Sequence, residues 1–134
     1  GIAALLLGAA QVIAIDNDPQ ALVATTDNAQ RNGIGPDRLR VCAPTAVPPG
    51  LVADVVLANI LAAPLIELAP RLAGLVRAEG SICLSGIMDG QQQGVIAAYQ
   101  SGFAFVAPAM RDSWVQLAGR KRELGLSTAP KTSR

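Results

Sequence analysis

Apolar residues in this chain gather in short runs, with longer stretches of mixed polarity between them. The opening "GIAALLLGA", residues 1–9, is rich in helix formers and stops at Gly8. Gln11 to Ile15 is a β-branched run that reads as a strand. From Pro19 to Asn32 the apolar positions Ala21, Leu22, Ala24 and Ala29 mix with polar ones, and Asn32-Gly33 closes a helix. "RLRVC", 38–42, alternates like a half-exposed strand, and 43–52, with three prolines and a glycine, is a loop. "DVVLAN", 54–59, is a second buried strand that ends on a polar residue. A helix follows over 60–78, with Pro64 near its first turn and Pro70 expected to kink it. "SICLSGI", 81–87, is a third apolar strand, and a helix spans 89–100. Two strands at about 103–108 and 113–119 close the pattern, separated by "AMRDS". The last ten residues, "GLSTAPKTSR", are small and polar, a composition that predicts disorder.

This alternation of strands and helices predicts an α/β doubly wound sheet. The two closing strands have no helix between them, so they form an antiparallel hairpin on the sheet edge. In open parallel sheets the ligand crevice lies outside the carboxyl ends of the strands, and those ends carry the candidate chemistry. The run "VIAI" stops on Asp16, Asn17 and Asp18 before Pro19. Asp18 before a proline is an N-cap with proline at the first helical position. Asp16 has two readings. Its carboxylate can accept hydrogen bonds from both hydroxyls of a ribose, or it can close a turn on its own backbone. Asn59 also has two: it can orient an incoming amine, or cap a helix starting at Ile60. Asp54 lies at the wrong end of its strand, Gly80 and Ser81 read as a turn, Trp114 as packing rather than cofactor stacking, and "QQQ", 91–93, as a solvated helix face.

Composition narrows the field. With 51% hydrophobic and 3% aromatic residues, the chain has the profile of a buried sheet covered by Ala- and Leu-rich helices. At 134 residues it makes one domain at most. A net charge of +1 gives no long-range field, so no direct nucleic-acid binding is expected. Five of the eleven basic residues (Arg120, Lys121, Arg122, Lys131 and Arg134) fall in the last fifteen positions, as a solvated end or a contact with an RNA-associated partner. Cys42 and Cys83 are too few for a disulfide framework or a zinc site, and the absence of histidine excludes Ser-His-Asp and Cys-His triads. No run suggests a membrane span, and the apolar start has no basic flank of the signal-peptide kind, so a cytoplasmic location is expected. The chain opens on Gly1 within a helical pattern and reads as a fragment.

Four segments, "IAIDNDPQALVATTDNAQRNG", "ADVVLANILAAPLIELAPRL", "GSICLSGI" and "W…AGRK", occur in an order that resembles the bacterial ribosomal protein L11 methyltransferase (PrmA) family over residues 1 to about 122. The "ANIL" segment is the most diagnostic. The resemblance implies a class I S-adenosylmethionine-dependent methyltransferase fold, Rossmann-like, with a closing antiparallel hairpin. Its seven-stranded sheet has the order 3-2-1-4-5-7-6, with the first strand missing from this chain. It implies S-adenosyl-L-methionine as cofactor and methylation of lysine side chains and the N-terminal amine of the large-subunit ribosomal protein. Carried onto this sequence, it makes Asp16 the ribose-binding acid, with Asn17 beside it. It places Asn59 both against the cofactor and in the catalytic role; no metal is implied.

On this reading, residues 1–122 are a partial methyltransferase domain and 123–134 a polar tail. The glycine-rich cofactor loop and the substrate-recruiting domain of the family lie upstream. The missing strand belongs between those ending in Asp16 and Asn59, which leaves two edges open to re-pairing, to another chain or to self-association. The rival readings are a non-catalytic remnant with weak or no cofactor binding, and a nicotinamide-dependent oxidoreductase, which also wants an acid at Asp16. The closing hairpin and "ANIL" argue against the second.

Overall fold

The structure, a computed structural model, describes residues 1–123. The chain forms two compact units, the first over residues 1–51 and the second beginning at Val52.

In the first unit, α1 (Ile2–Leu6), β1 (Val12–Ile15), α2 (Pro19–Arg31) and β2 (Leu39–Cys42) follow one another, with a short 3-10 turn at Pro44–Ala46. β1 and β2 pair in parallel, from Val12 opposite Leu39 to Ile15 opposite Cys42, as the helical crossover between them requires. α1 is shorter than its composition predicts because Gly8, at φ 114°, turns the chain out of helix. α2 ends in a Schellman motif. Gly33, at φ 69°, donates its N–H to the Gln30 carbonyl, and the Ile34 N–H reaches the Ala29 carbonyl at 2.9 Å. Ile34 and Ala29 then bury together with Leu5 and Leu39 in the core of this unit.

The second unit contains β3 (Ala53–Asn59), α3 (Ala62–Glu67), α4 (Ala69–Leu75), β4 (Val76–Met88), α5 (Gln92–Tyr99), β5 (Phe103–Phe105), β6 (Ala109–Arg111) and β7 (Trp114–Lys121). Its sheet runs β3-β4-β7-β5, with β6 also on β7. β3 and β4 are parallel, while β7 is antiparallel to β4, β5 and β6. The last strand thus inserts between its predecessors, as the L11 methyltransferase resemblance implies.

Three details differ from expectation. The helix expected over 60–78 is two helices, broken at Leu68 (φ −87°, ψ 2°) so that Pro70 falls in the first turn of α4, where its missing N–H costs nothing. β4 starts at Val76 rather than Ser81. Ala53 pairs with Val76 and Val55 with Ser81, so residues 77–80 bulge out through Glu79 at φ 63°. Ser81 is therefore a ladder residue, and Gly80 is buried, with the Asp54 and Arg77 carbonyls each 2.9 Å from where a Cβ would stand. "AMRDS" supplies a short strand, β6, and a two-residue turn at Asp112 (φ 50°) and Ser113 (φ 68°), whose positive φ angles give the type I′ geometry that suits a hairpin.

α3, α4 and α5 cover one face of the sheet. Leu65, Ile82, Leu84, Ile87, Val95 and Leu117 are fully buried there, and the Tyr99 hydroxyl donates to the Leu65 carbonyl at 2.7 Å. Within this unit the opposite face is open: Val55 and Leu57 of β3 are 54% and 66% exposed. Among the described residues, β1 and β3 each stand at the end of a sheet with one edge unpaired.

Candidate functional site at the strand ends

The ladder of β1 continues one bond beyond Ile15, as the Asp16 N–H donates to the Cys42 carbonyl at 3.3 Å. The chain then turns. Asp16 Oδ1 accepts the Asp18 N–H at 2.9 Å, and Asp18 Oδ1 accepts the Gln20 N–H at 2.9 Å as N-cap of α2, with Pro19 in the first turn. The N-cap expectation for Asp18 holds. The turn reading of Asp16 also holds, but it uses one carboxylate oxygen. Oδ2 has no hydrogen bond among the described residues, and Asp16 and Asn17 are exposed at the carboxyl end of the strand. An exposed carboxylate already fixed at one oxygen fits a ribose diol, because its orientation is set before the ligand arrives.

Asn59 is the last residue of β3, opposite Ser85 of β4. Its capping reading fails: the next helix starts at Ala62 with Leu61 at the N-cap and no side-chain cap bond. The Asn59 amide is exposed and makes no side-chain hydrogen bond among the described residues. Beside it stands Gly86, at φ 84°, where a Cβ would overlap the Ile60 carbonyl oxygen and lie 3.1 Å from Asn59 Oδ1. Only glycine permits this close approach, and Gly86 is the site residue that the sequence reading missed. Its signal was a glycine inside an otherwise apolar strand run.

Trp114 does not pack in the core as expected; it is 49% exposed, opposite Met88. The basic end is partly used inside the fold. Lys121 Nζ donates to the Ala73 and Val76 carbonyls at 2.8 and 2.7 Å, and Arg120 Nε to the Glu79 carbonyl at 3.2 Å. Lys131 and Arg134, with the rest of the tail from Leu124 on, lie outside the described residues. The Glu123 carboxyl titrates above its usual range because it shares a hydrogen bond, and repels charge, with Glu79. Among the described residues, two of the concavities are shallow ones away from the strand ends. One of about 360 Å³ runs along α2 from Pro19 to Asp27, and the other, about 290 Å³, lies on the open sheet face around Cys83; neither is lined by Asp16 or Asn59.

Comparison with known proteins decides the family. The family model for ribosomal protein L11 methyltransferase (PrmA) matches residues 1–122. The chain belongs to that family. A ribosomal protein L11 methyltransferase from Marinobacter nauticus is 49% identical over 123 residues, 92% of this chain and 41% of that protein. The Pseudomonas aeruginosa protein of the same name is 51% identical over 121 residues, 90% of this chain and again 41% of the relative. The chain therefore spans about two-fifths of the length of these curated PrmA relatives. Among solved structures, a ribosomal protein L11 methylase from Lactobacillus delbrueckii subsp. bulgaricus superposes with a TM-score of 0.81 at 28% identity, covering 91% of this chain and 64% of that one. A methyltransferase from Pyrococcus furiosus, at 14% identity and a TM-score of 0.62 over 84% of this chain and 63% of its own, shares the fold alone. The fold is the class I methyltransferase α/β fold with a mixed sheet, as the PrmA resemblance implies.

Proposed function

We propose that this PrmA-family chain carries the ribose-binding and amine-positioning parts of an S-adenosylmethionine-dependent N-methyltransferase. Its substrate on this reading is ribosomal protein L11, methylated at lysine side chains and the N-terminal amine in the cytoplasm. Residues 1–122 are the methyltransferase part. The observation that carries the reading is Asn59: a polar side chain at the carboxyl end of a parallel strand, released from capping and held against a glycine that admits no side chain.

S-adenosylmethionine, when bound, supplies an electrophilic methyl on a sulfonium. The residue types present fit it: in the first unit the second Asp16 oxygen and Asn17 would hold the ribose, and in the second unit Asn59 would hold the amine. The work left to this chain is positioning, which supplies most of the rate in such a displacement. Asn59 Oδ1 accepts an N–H of the incoming amine and turns the nitrogen lone pair away from itself. The amine must arrive neutral, and a free lysine titrates near 10.4, so desolvation in the crevice lowers that value. With no histidine in the sequence, water takes the proton.

Calorimetric titration of this chain with S-adenosylhomocysteine, with Asp16→Ala as control, tests the reading. Heat that the control abolishes is the expected result. A folded chain that gives no heat would favour the second reading, a non-catalytic remnant, to which the shallow concavities lend support.

A further inference from the structure

Asn32 and Gly33 form the only asparagine–glycine pair in the chain; Asn17, Asn28 and Asn59 precede Asp18, Ala29 and Ile60. Such a pair has a chemistry of its own. A backbone nitrogen can attack the side-chain carbonyl carbon of the asparagine before it and close a succinimide ring. A side chain on the attacking residue obstructs that approach, and glycine has none. Nothing lies within 4 Å of where a Gly33 Cβ would stand, so the ring has room to form. Asn32 is exposed, so solvent reaches it.

In the folded chain the groups that this step needs are engaged. The Gly33 N–H donates to the Gln30 carbonyl at 3.0 Å, which shields its proton from base. Asn32 Nδ2 donates to the Asn28 carbonyl at 2.8 Å, which ties the leaving nitrogen to the preceding turn. The Ile34 N–H completes the Schellman motif on the Ala29 carbonyl at 2.9 Å. Ile34 is only 5% exposed and packs with Leu5, Ala29 and Leu39. Freeing Gly33 therefore means opening the end of α2 and disturbing the core seat of Ile34.

We propose that Asn32 is a site of spontaneous deamidation, gated by the Schellman motif at the end of α2, and that its products hold that motif open. A solvent base takes the Gly33 amide proton, and the nitrogen pair forms a bond to Asn32 Cγ. The Cγ–Nδ2 bond breaks, and Nδ2 leaves as ammonia with a proton from water. Water then opens the succinimide at either carbonyl, giving aspartate, or isoaspartate, in which the main chain runs through the side chain. Nothing is oxidised or reduced, and water is the one co-reactant. Aspartate has no N–H for the Asn28 carbonyl and adds negative charge at the negative end of the helix. Isoaspartate inserts a methylene before Gly33 and shifts the Gly33 and Ile34 N–H groups off the Gln30 and Ala29 carbonyls.

The chain is incubated at neutral pH, folded and in concentrated urea, and mass spectrometry follows the exchange of ammonia for water at each asparagine. In urea, residue 32 should react well ahead of Asn17, Asn28 and Asn59. In the folded chain its rate should be at least about tenfold lower, and should equal the urea rate scaled by the open fraction that Gly33 amide exchange reports. Ile34→Ala removes the anchor and should speed the folded-state reaction about tenfold. The deamidated chain, separated by ion exchange, should exchange its Gly33 and Ile34 amides at least about tenfold faster than the parent. Equal rates in the folded and urea-unfolded chain would overturn the proposal, as would no reaction at residue 32 in either. An unchanged rate in a folded Ile34→Ala chain would overturn the gate. If that variant does not fold, the parent decides: a rate about tenfold above the scaled urea rate would overturn it equally. Unchanged amide exchange after deamidation would overturn the effect assigned to the products.

Discussion

Two aspartates separated by one residue do different work, and the difference can be measured. Asp16 spends one oxygen on the Asp18 N–H and keeps the other, whereas Asp18 spends its oxygen on starting α2. Asparagine at position 16 keeps the turn acceptor and loses the charge. Asp16→Asn should therefore leave stability within about 0.5 kcal/mol of the parent in urea unfolding. It should weaken S-adenosylhomocysteine about tenfold or more by calorimetry, because charge-assisted bonds to the ribose are lost. Gly86 gives the opposite pattern. Gly86→Ala meets both the φ of 84° and the Ile60 carbonyl, and should destabilise by about 1–3 kcal/mol in thermal unfolding. Tyr99 predicts a pH dependence. Burial raises its pKa from 10.0 to about 12. The neutral phenol is the form that donates to Leu65, so its contribution is fully present below pH 10 and is lost as pH rises towards 12. Urea midpoints followed across that window should fall in the parent, and this component of the fall should vanish in Tyr99→Phe. Much of this was legible: "DNDP" announces a cap and a turn from residue types alone. The release of Asn59 from capping was not, because a shift of two residues in a helix start decides it, and boundaries are where residue preferences are weakest.

Elements are held at their ends as much as along their length. α4 stops at Leu75, and its final carbonyls are taken by Lys121, reaching in from the last strand. An ammonium at a helix C-terminus both satisfies orphan carbonyls and opposes the helix dipole. Lys121→Met keeps the stem and removes the donor. It should cost about 1–3 kcal/mol in urea unfolding with an unchanged m-value, and amide exchange in the last turn of α4 should accelerate. From sequence, Lys121 reads as part of a basic tail, since nothing local reveals a partner 45 residues away. The same limit explains β4. The bulge at 77–80 requires glycine at position 80 because the Arg77 carbonyl of the same segment and the Asp54 carbonyl of β3 both close in on it, and the β3 half of that constraint is not visible in "VRAEG" itself. Pro70, by contrast, interrupts the helical run as its residue type predicts, though as a break at Leu68 rather than a kink, because its effect is local and steric.

For the molecule as a whole, the periodicity of apolar runs predicted α/β order, and the resemblance predicted where the last strand inserts. Neither says what meets the open edges. Among the described residues, β1 and β3 each keep an unpaired row of N–H and C=O groups, and β3 adds exposed Val55 and Leu57 with only Asp54, at its start, as a charge. Natural edge strands are usually blunted by lysine, proline or a bulge within the strand, and the stretch from Val55 to Ala58 has none of these. Strand addition to β3 is the expected consequence. Sedimentation of this chain at increasing concentration should show a rising average mass that salt changes little, since main-chain pairing and apolar burial depend weakly on ionic strength. Leu57→Lys puts a charge in the middle of the edge and should raise the apparent dissociation constant about tenfold, while a charge at Val23, exposed on α2, should leave it unchanged. A mass that stays monomeric in the parent at all concentrations would mean that the edge of β3 does not recruit a partner strand, however exposed it is.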